Sequence, residues 1–346
     1  MVGSFDRAHP ALPSPGAART GLGRTESPAR RRPYRARRPG RTHMSPGFSP
    51  MVARPARAQA GAMTTPTQHP ILVLGGTGKT GSRVVDALRA RGAAVRVASR
   101  SAEQHFDWSD DSTWAPALAG ASAVYLVPLD GVPTGPAFVR QAAAAGVERI
   151  VLLSARGTDT PGYFAADDPA NLARLELEAA VRDSGAQWTI LRPGWFAQNF
   201  SEGFFRDEIR SGELYLPAGS AAVSFVDTED IAAVAVAALL DPGHAGRTYE
   251  LSGPRAVTFD EALAEIAAAT GHRARYIPVE PAAYTAALVD QGLSELDAGI
   301  WTSALNGILR GLEAKVSDGI PRALGRPGRD FTEFVRTAAS TGAWTV

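Results

Sequence analysis

Apolar residues between Pro70 and Leu191 follow two patterns that alternate along the chain. Short apolar runs bounded by glycine or polar residues are typical of buried parallel strands, and apolar positions repeated every three or four residues are typical of helices. The runs predict strands at Ile71–Leu74, Ala94–Ala98, Ala123–Val127, Arg149–Leu153 and Trp188–Leu191. The periodic segments predict helices at Ser82–Arg91, Trp114–Ala119, Pro136–Ala145 and Asn171–Ser184, the last with an apolar side formed by Leu172, Leu175, Ala179 and Val181. This order predicts an α/β fold, a Rossmann-type doubly wound parallel sheet with helices on both faces.

The pattern after Leu191 is less regular. It predicts helices at 197–211, at Thr228–Leu240 with Thr228 as N-cap, at Phe259–Ala269 and within 281–315, and extended segments at 212–217 and 249–252. No linker is long enough to separate two independent domains. We therefore expect one domain at 63–346, with a smaller C-terminal α/β cap mainly from 197–226 and 254–346.

Residues 1–62 differ in composition from the rest of the chain. They hold twelve arginines, no lysine, and only Asp6 and Glu26 as acids, and they are rich in proline without apolar periodicity. Such a segment cannot bury enough apolar surface to order itself. We interpret it as a disordered leader, outside the native protein if translation starts at Met63; a transit peptide is the alternative.

Composition excludes several classes of function. The chain has no cysteine, so thiol nucleophiles, iron–sulfur clusters and cysteine zinc sites are absent. Because acidic residues outnumber basic ones after residue 62, a nucleic-acid surface on the folded part is disfavoured. The sequence contains no run of 18 apolar residues, so it predicts no membrane-spanning helix. The histidines show no metal-binding spacing, so we expect no metal site. We expect the protein to be cytoplasmic.

The segment after the first strand is rich in glycine. Its residues are Gly75, Gly76, Thr77, Gly78, Lys79, Thr80 and Gly81, and they lead directly into the first helix. Glycines spaced three apart at a strand-to-helix turn allow a tight turn, approach of the backbone to a pyrophosphate, and close helix packing. The helix N-terminus then offers N–H groups to the phosphates. The loop predicts a dinucleotide site.

The end of the second strand indicates which dinucleotide binds. NAD sites place an acidic residue there to bind the ribose hydroxyls. This chain has Arg100 between two serines, and a guanidinium can pair with a 2′-phosphate. We expect NADP(H) to be preferred, with NAD(H) as the alternative.

Taken together, these residues resemble the NmrA-like atypical short-chain dehydrogenase/reductase family over nearly all of 70–346. The resemblance rests on ILVLGGTGKTG, FDW at 106–108, VLLSARG at 151–157, SGAQWTILRPGWFAQNF at 184–200 and FVDTEDIAAVAVAAL at 225–239, and is nearest to the festuclavine dehydrogenase-like reductases. It implies that Asp107 and Trp108 lie near the adenine and Pro128 near the nicotinamide ribose. It also implies that Phe196, Ala197, Gln198 and Asn199 lie against the nicotinamide. Core packing is the alternative for Trp108 and Phe196.

The catalytic positions depart from those of ordinary short-chain dehydrogenases. Those enzymes use a tyrosine and a lysine four residues apart, and the aligned positions here hold Ala170 and Arg174. Arg174 keeps a cation that can hold the nicotinamide ribose, but an arginine does not give up its proton. Ser154 follows its strand where the family's serine stands, and Tyr163 is a candidate substitute acid.

A missing acid favours substrates that need little proton donation. We expect NAD(P)H-dependent hydride transfer to an imine, iminium, quinone-like or related conjugated organic molecule. Trp195, Phe200 and Phe204 are candidate walls of the substrate pocket, and the protein is expected to be a monomer or homodimer. The alternative is a redox sensor that binds the dinucleotide without turnover and acts through a protein partner.

Overall fold

The structure, a computed structural model, describes residues 69–345, so the predicted leader at 1–62 lies outside the described residues. Its strands are β1 Ile71–Leu74, β2 Val95–Ser99, β3 Gln104–His105, β4 Ala123–Leu126, β5 Arg149–Leu153, β6 Gln187–Pro193, β7 Glu213–Leu216, β8 Ala222–Val223, β9 Arg247–Leu251, β10 Val257–Thr258 and β11 Arg275–Pro278. Its helices are α1 Lys79–Ala90, α2 Trp114–Leu118, α3 Gly135–Ala144, α4 Pro169–Arg182, α5 Asn199–Glu202, α6 Phe204–Ser211, α7 Thr228–Leu240, α8 Phe259–Thr270, α9 Pro281–Asp290, α10 Glu295–Leu309, α11 Gly319–Leu324 and α12 Phe331–Ser340.

Seven strands form one parallel sheet in the order β3-β2-β1-β4-β5-β6-β9. One face is covered by α1 and α7, and the other by α2, α3 and α4, so apolar clusters lie on both sides of the strands. Strands such as Ile71–Leu74 are buried along their whole length for this reason. The predicted doubly wound α/β fold is confirmed. The strand order reverses between β1 and β4, where ligands bind in such sheets.

Helix α4 turns a different side to the core than its apolar pattern indicates. Leu172 and Leu175 are exposed, while Arg174 and Glu178 are buried. The two charged side chains can be buried because each has an ion-pair partner, Asp130 for Arg174 and Arg192 for Glu178. The prediction that Leu172 and Leu175 mark the packing side together with Val181 was wrong; Val181 alone of these is buried.

Helix α7 is the central helix of its face, and most of its residues are buried. Asp227 caps it, because its carboxylate accepts the backbone N–H of Glu229 at 2.9 Å. The predicted cap, Thr228, is instead the first residue of the helix.

The C-terminal segments form a third apolar cluster, the cap core, beside the carboxyl ends of the sheet strands. The helix predicted over 197–211 is two helices, α5 and α6, separated by the extended residue Gly203. A Cβ at Gly203 would lie 2.7 Å from Lys79 Nζ and 3.2 Å from Asn199 Cα, so a side chain at this break would displace the Lys79 ammonium. Two small sheets complete the region, β7 with β11 and β8 with β10, whereas α11 packs back on α7 and β9.

Candidate functional site

The glycine loop wraps tightly between β1 and α1. Gly75 has a left-handed backbone, φ +61°, and its hydrogen faces Val127 at the end of β4. A Cβ on Gly76 would lie 2.7 Å from Val97 Cγ1, and a Cβ on Gly81 would overlap the carbonyl oxygen of Gly75. These contacts leave no room for side chains on the side where the backbone approaches the strand. The cradle therefore fits the pyrophosphate of a dinucleotide.

The N-terminus of α1 faces this cradle. Gly78 is the N-cap and provides no side-chain bond to the first turn, so the N–H groups there are available to phosphate oxygens. Thr77 is exposed beside them, and Thr80 is buried. Lys79 donates a hydrogen bond to Asn199 Oδ1 at 3.1 Å, and burial lowers the pKa of its ammonium to about 8.

The turn after β2 presents Arg100 to solvent. Ser99 Oγ accepts the backbone N–H groups of Ser101 and Ala102, which fixes the turn. The Arg100 side chain is exposed and forms no ion pair within residues 69–345. A guanidinium placed in this way is free to meet a phosphate.

Trp108 belongs to the core beside the expected adenine position. Its indole Nε1 donates to Val127 O at 3.1 Å, and its ring makes edge contacts with Phe106, Trp114 and Phe138. The carboxylate of the preceding residue, Asp107, accepts the N–H and O–H of a serine two residues later, so it shapes the local turn. Packing against these rings buries most of the Trp108 side chain.

The segment after β6 connects the glycine loop to α7. Phe196 pairs with Val226 as a β-bridge, and Ala197 N donates to Val226 O at 2.9 Å. Gln198 Nε2 donates to Asp227 Oδ1 at 2.7 Å, while Asn199 receives Lys79. The four residues expected at the nicotinamide are therefore held at the carboxyl end of the sheet strands. Pro128, half-buried, follows β4 at the same end.

The position of the missing lysine is filled by a paired arginine. Arg174 Nη2 donates to Asp130 Oδ1 at 2.8 Å, and its guanidinium lies 5.3 Å from the centre of the Phe164 ring. Ala170, where ordinary members have tyrosine, is buried one helical turn earlier. This part of the site offers a cation and no hydroxyl.

Ser154, directly after β5, already uses its hydroxyl hydrogen. Ser154 Oγ donates to Glu178 Oε1 at 2.6 Å. Burial raises the pKa of Glu178, but the hydrogen bonds from Arg192, Ser154 and Arg182 outweigh burial and lower that pKa below its usual range. The ionised carboxylate keeps Ser154 as a donor to it, so Ser154 offers only lone pairs to a ligand.

Tyr163 is wedged between two glycines. Its ring occupies the space where a Cβ of Gly157 or Gly307 would lie, and only 1% of the residue is exposed. Its hydroxyl donates to Glu313, a fully buried carboxylate whose pKa is raised by burial. Sequence reasoning missed Glu313 because nothing in the spacing links it to a residue 150 positions earlier.

The predicted pocket walls lie inside the cap core. Trp195 and Phe200 have no exposed surface. Phe200 is surrounded by four aromatic rings, those of Phe205, Phe225, Phe259 and Phe331. This places Phe200 in the core and corrects its assignment to a pocket wall. The Phe204 side chain lies outside the described residues.

Two absences hold for the described part of the chain. No group of three or more histidine, aspartate or glutamate side chains there is arranged to hold a metal ion. Within residues 69–345, no helix combines the length and the apolar character needed to cross a membrane.

Comparison with known proteins identifies the family of this chain. Residues 75–242 match the family described as NAD(P)H-binding. The chain is 35% identical over 292 residues to an NAD(P)H azoreductase from Xenophilus azovorans, covering 79% of this chain and 99% of the relative. It is 30% identical over 284 residues to agroclavine dehydrogenase from Claviceps fusiformis, covering 77% of this chain and 96% of the relative.

A solved structure shares the fold. It is the triphenylmethane reductase of Citrobacter sp. in complex with NADP(H), with a TM-score of 0.65 at 24% identity. The match covers 78% of this chain and 99% of that protein.

Proposed function

Because this chain belongs to the NAD(P)H-binding, NmrA-like family of atypical short-chain dehydrogenase/reductases and is an NAD(P)H-dependent oxidoreductase, we propose the acceptor class and the residues that serve it. The acceptor is a conjugated organic molecule: an imine or iminium, a quinone-like compound or a related dye. The reaction is hydride transfer from the bound nicotinamide.

The observation that carries this proposal is the pair of side chains at the missing Tyr/Lys positions. Ala170 has no proton to give, and Arg174 is held by Asp130 as a permanent cation. A saturated ketone needs an acid for the alkoxide that forms on reduction. A conjugated acceptor spreads the incoming electron pair over several atoms, so it needs less proton donation in the same step.

Two relatives carry names that fit this class. One is an azoreductase and the other a dehydrogenase named for agroclavine. Their agreement supports a conjugated nitrogen-containing or aromatic acceptor here.

The cofactor is bound in the glycine cradle. The loop from Gly75 to Gly81 holds the pyrophosphate, and Arg100 pairs with the 2′-phosphate, so NADPH is preferred over NADH. Arg174 holds the nicotinamide ribose, while residues 196–199 and Pro128 form the nicotinamide end. When bound, NADPH supplies the hydride, and the protein supplies position and charge.

The experiment is a panel of acceptors offered to the purified protein with NADPH. Four conjugated acceptors are compared with the saturated ketone cyclohexanone: a naphthoquinone, a cyclic iminium salt, an azo dye and malachite green. Oxidation of NADPH is followed by the loss of its absorbance. We expect oxidation with at least one conjugated acceptor and none with cyclohexanone. Tight NADPH binding without oxidation by any acceptor would support the sensor alternative.

The setting of the reaction is part of the same proposal. We propose a cytoplasmic enzyme that works as a monomer or homodimer. Light scattering of the purified chain measures the second point, and fractionation of the native cells measures the first.

A further inference from the structure

Arg156, three residues after β5, is a buried arginine, and one nitrogen of its guanidinium is held by hydrogen bonds. Its Nη1 donates to Ser224 Oγ at 3.1 Å, to Glu313 Oε2 at 3.2 Å and to the carbonyl oxygen of Lys315 at 3.0 Å. Only 4% of the residue is exposed. The guanidinium therefore has one orientation relative to the cap.

The opposite edge of the same guanidinium has no partner. Arg156 Nε and Nη2 are both buried, and neither has a hydrogen-bond partner among residues 69–345. These two nitrogens form the planar fork with which arginine binds two oxygen atoms at once. Leaving charged donors buried without an acceptor costs free energy, so such groups indicate a missing acceptor.

A second unpartnered donor also lies at the carboxyl end of the sheet strands. The indole Nε1 of Trp195 is buried without a partner in the described structure. Between β6 and Trp195 is Gly194, where a Cβ would lie 2.8 Å from Glu313 Oε2 and 3.6 Å from Arg156 Nη1. Arg156 and Trp195 thus follow neighbouring parallel strands, at the end of the sheet where the nicotinamide is placed.

The two hydroxyls expected to donate to the substrate are occupied. Ser154 donates to Glu178, and Tyr163 donates to Glu313. Each hydroxyl has one hydrogen, so neither can give a second hydrogen bond while these bonds persist. Arg156 and Trp195 carry buried N–H donors without an acceptor after β5 and β6, and Asn199 Nδ2 is a further unpartnered donor in the segment expected at the nicotinamide.

We propose that Arg156 binds the oxygen of a conjugated carbonyl acceptor and stabilises the negative charge that forms there, with Trp195 Nε1 as the second donor. This inference rests on the proposed reductase function and names its substrate as a quinone or enone. The hydride adds with its electron pair at one end of the conjugated system, and an electron pair moves onto the oxygen at the other end. That oxygen then takes a proton from solvent, so the acceptor gains two hydrogens and the cofactor leaves oxidised.

Access to the fork requires movement of the groups around it. Neither nitrogen has exposed surface, and the neighbouring Tyr163 is held by α10. Asn306 donates to the carbonyl oxygens of Gly162 and Tyr163 at 3.2 Å, and Ser303 donates to Asp168 at 2.6 Å. The inference therefore requires that this segment separate from α10 when the substrate binds.

The test compares Arg156→Lys on two acceptors. Lysine keeps the charge and loses the fork. With naphthoquinone, where oxygen gains charge, kcat/KM should fall about 100-fold, the usual effect of losing an oxyanion donor. With malachite green, a carbocation that hydride neutralises, kcat/KM should change less than about threefold. The matched control is Arg255→Lys, since Arg255 pairs with Glu265 and Asp330 in the cap, and neither activity should change.

A binding measurement separates this inference from the proposed function. 4-Nitrophenol is titrated in the complex of the protein with NADP⁺, where Arg156 should favour the phenolate and lower the pKa of the bound probe. Arg156→Lys should abolish that shift, and Trp195→Phe, which keeps the aromatic packing, should reduce it. The shift without turnover of any acceptor would leave Arg156 in place and reject the reductase function.

Three results would overturn the role of Arg156. One is an equal loss on both acceptors together with a lower unfolding temperature, as expected of a structural partner of Glu313. Another is a wild-type complex that leaves the pKa of nitrophenol unchanged. If Arg156→Lys does not fold, Trp195→Phe decides: unchanged naphthoquinone reduction would reject the donor pair.

Discussion

Lys79 in the glycine loop donates a 3.1 Å hydrogen bond to Asn199 in the segment after β6. The bond joins the loop that we propose holds the pyrophosphate to the segment that we propose lies against the nicotinamide. Since burial lowers the pKa of this ammonium to about 8, its charge is sensitive to mild alkali.

NADPH affinity should therefore depend on the protonation of Lys79. Below pH 8 the ammonium attracts the pyrophosphate, and the dissociation constant should rise as the pH increases above about 8 because that charge is lost. Lys79→Met should bind about tenfold more weakly at neutral pH, a loss of about 1.4 kcal/mol, and should lose most of this pH dependence. Calorimetric titration at several pH values measures both effects, and an unchanged pH dependence in the variant would contradict the assignment.

Arg100 should control the choice between the two dinucleotides. Arg100→Glu removes the partner of the 2′-phosphate and adds a repelling charge, so KM for NADPH should rise by about 10- to 100-fold. KM for NADH should change far less. The matched control is Arg91→Glu, because Arg91 is also exposed but pairs with Asp241. Equal effects of Arg100→Glu on both cofactors would count against the site.

Tyr163 is predicted to act on stability more than on chemistry. Tyr163→Phe keeps the ring between Gly157 and Gly307 but leaves the buried Glu313 without one donor, which should lower the free energy of unfolding by about 1–3 kcal/mol. Turnover should stay within about twofold. Thermal unfolding and steady-state kinetics are measured on the same preparation. A large loss of kcat at unchanged stability would restore Tyr163 as the catalytic acid.

Glu208 in α6 should make the fold less stable above neutral pH. Burial raises its pKa to about 7, while its carboxylate accepts the backbone N–H of Tyr215. The folded state therefore binds this proton more tightly than the unfolded chain, and stability is lost as the pH rises from about 4.5 to 7. Glu208→Gln should be more stable than wild type at pH 8, by at most about 3 kcal/mol, and the difference should vanish near pH 4. Urea unfolding at both pH values tests this, with the exposed Glu148→Gln as control; a pH-independent difference would reject it.

Local patterns predicted the parallel sheet and the glycine loop because both depend on neighbours in sequence. The apolar run Ile71–Leu74 and the glycines after it determine their own conformation. The packing side of α4 was predicted wrongly because Arg174 and Glu178 are buried through ion-pair partners that lie outside the helix. Hydrophobic periodicity contains no information about such pairs.

The same limit applies to the candidate site: residues that depend on their neighbours in sequence could be predicted, and residues that depend on distant contacts could not. Asn199 was placed by resemblance, whereas Glu313 and Arg156 became visible only when the cap segment met the end of β5. Phe200 shows a second limit, since an aromatic residue in a cap core and one on a pocket wall look alike in sequence. Asp227 and Thr228 are both good helix caps, and only the backbone angles and the hydrogen bond from Glu229 N–H to Asp227 distinguish them.

The crowding at Gly81 has a consequence for redesign. Any side chain there would overlap the carbonyl of Gly75, so the cradle tolerates no variation at this contact. Arg100 lies on an exposed turn after a different strand and carries no packing role. We therefore expect cofactor choice to be separable from cofactor binding, so that substitutions at the end of β2 should change the preferred dinucleotide without disturbing the loop.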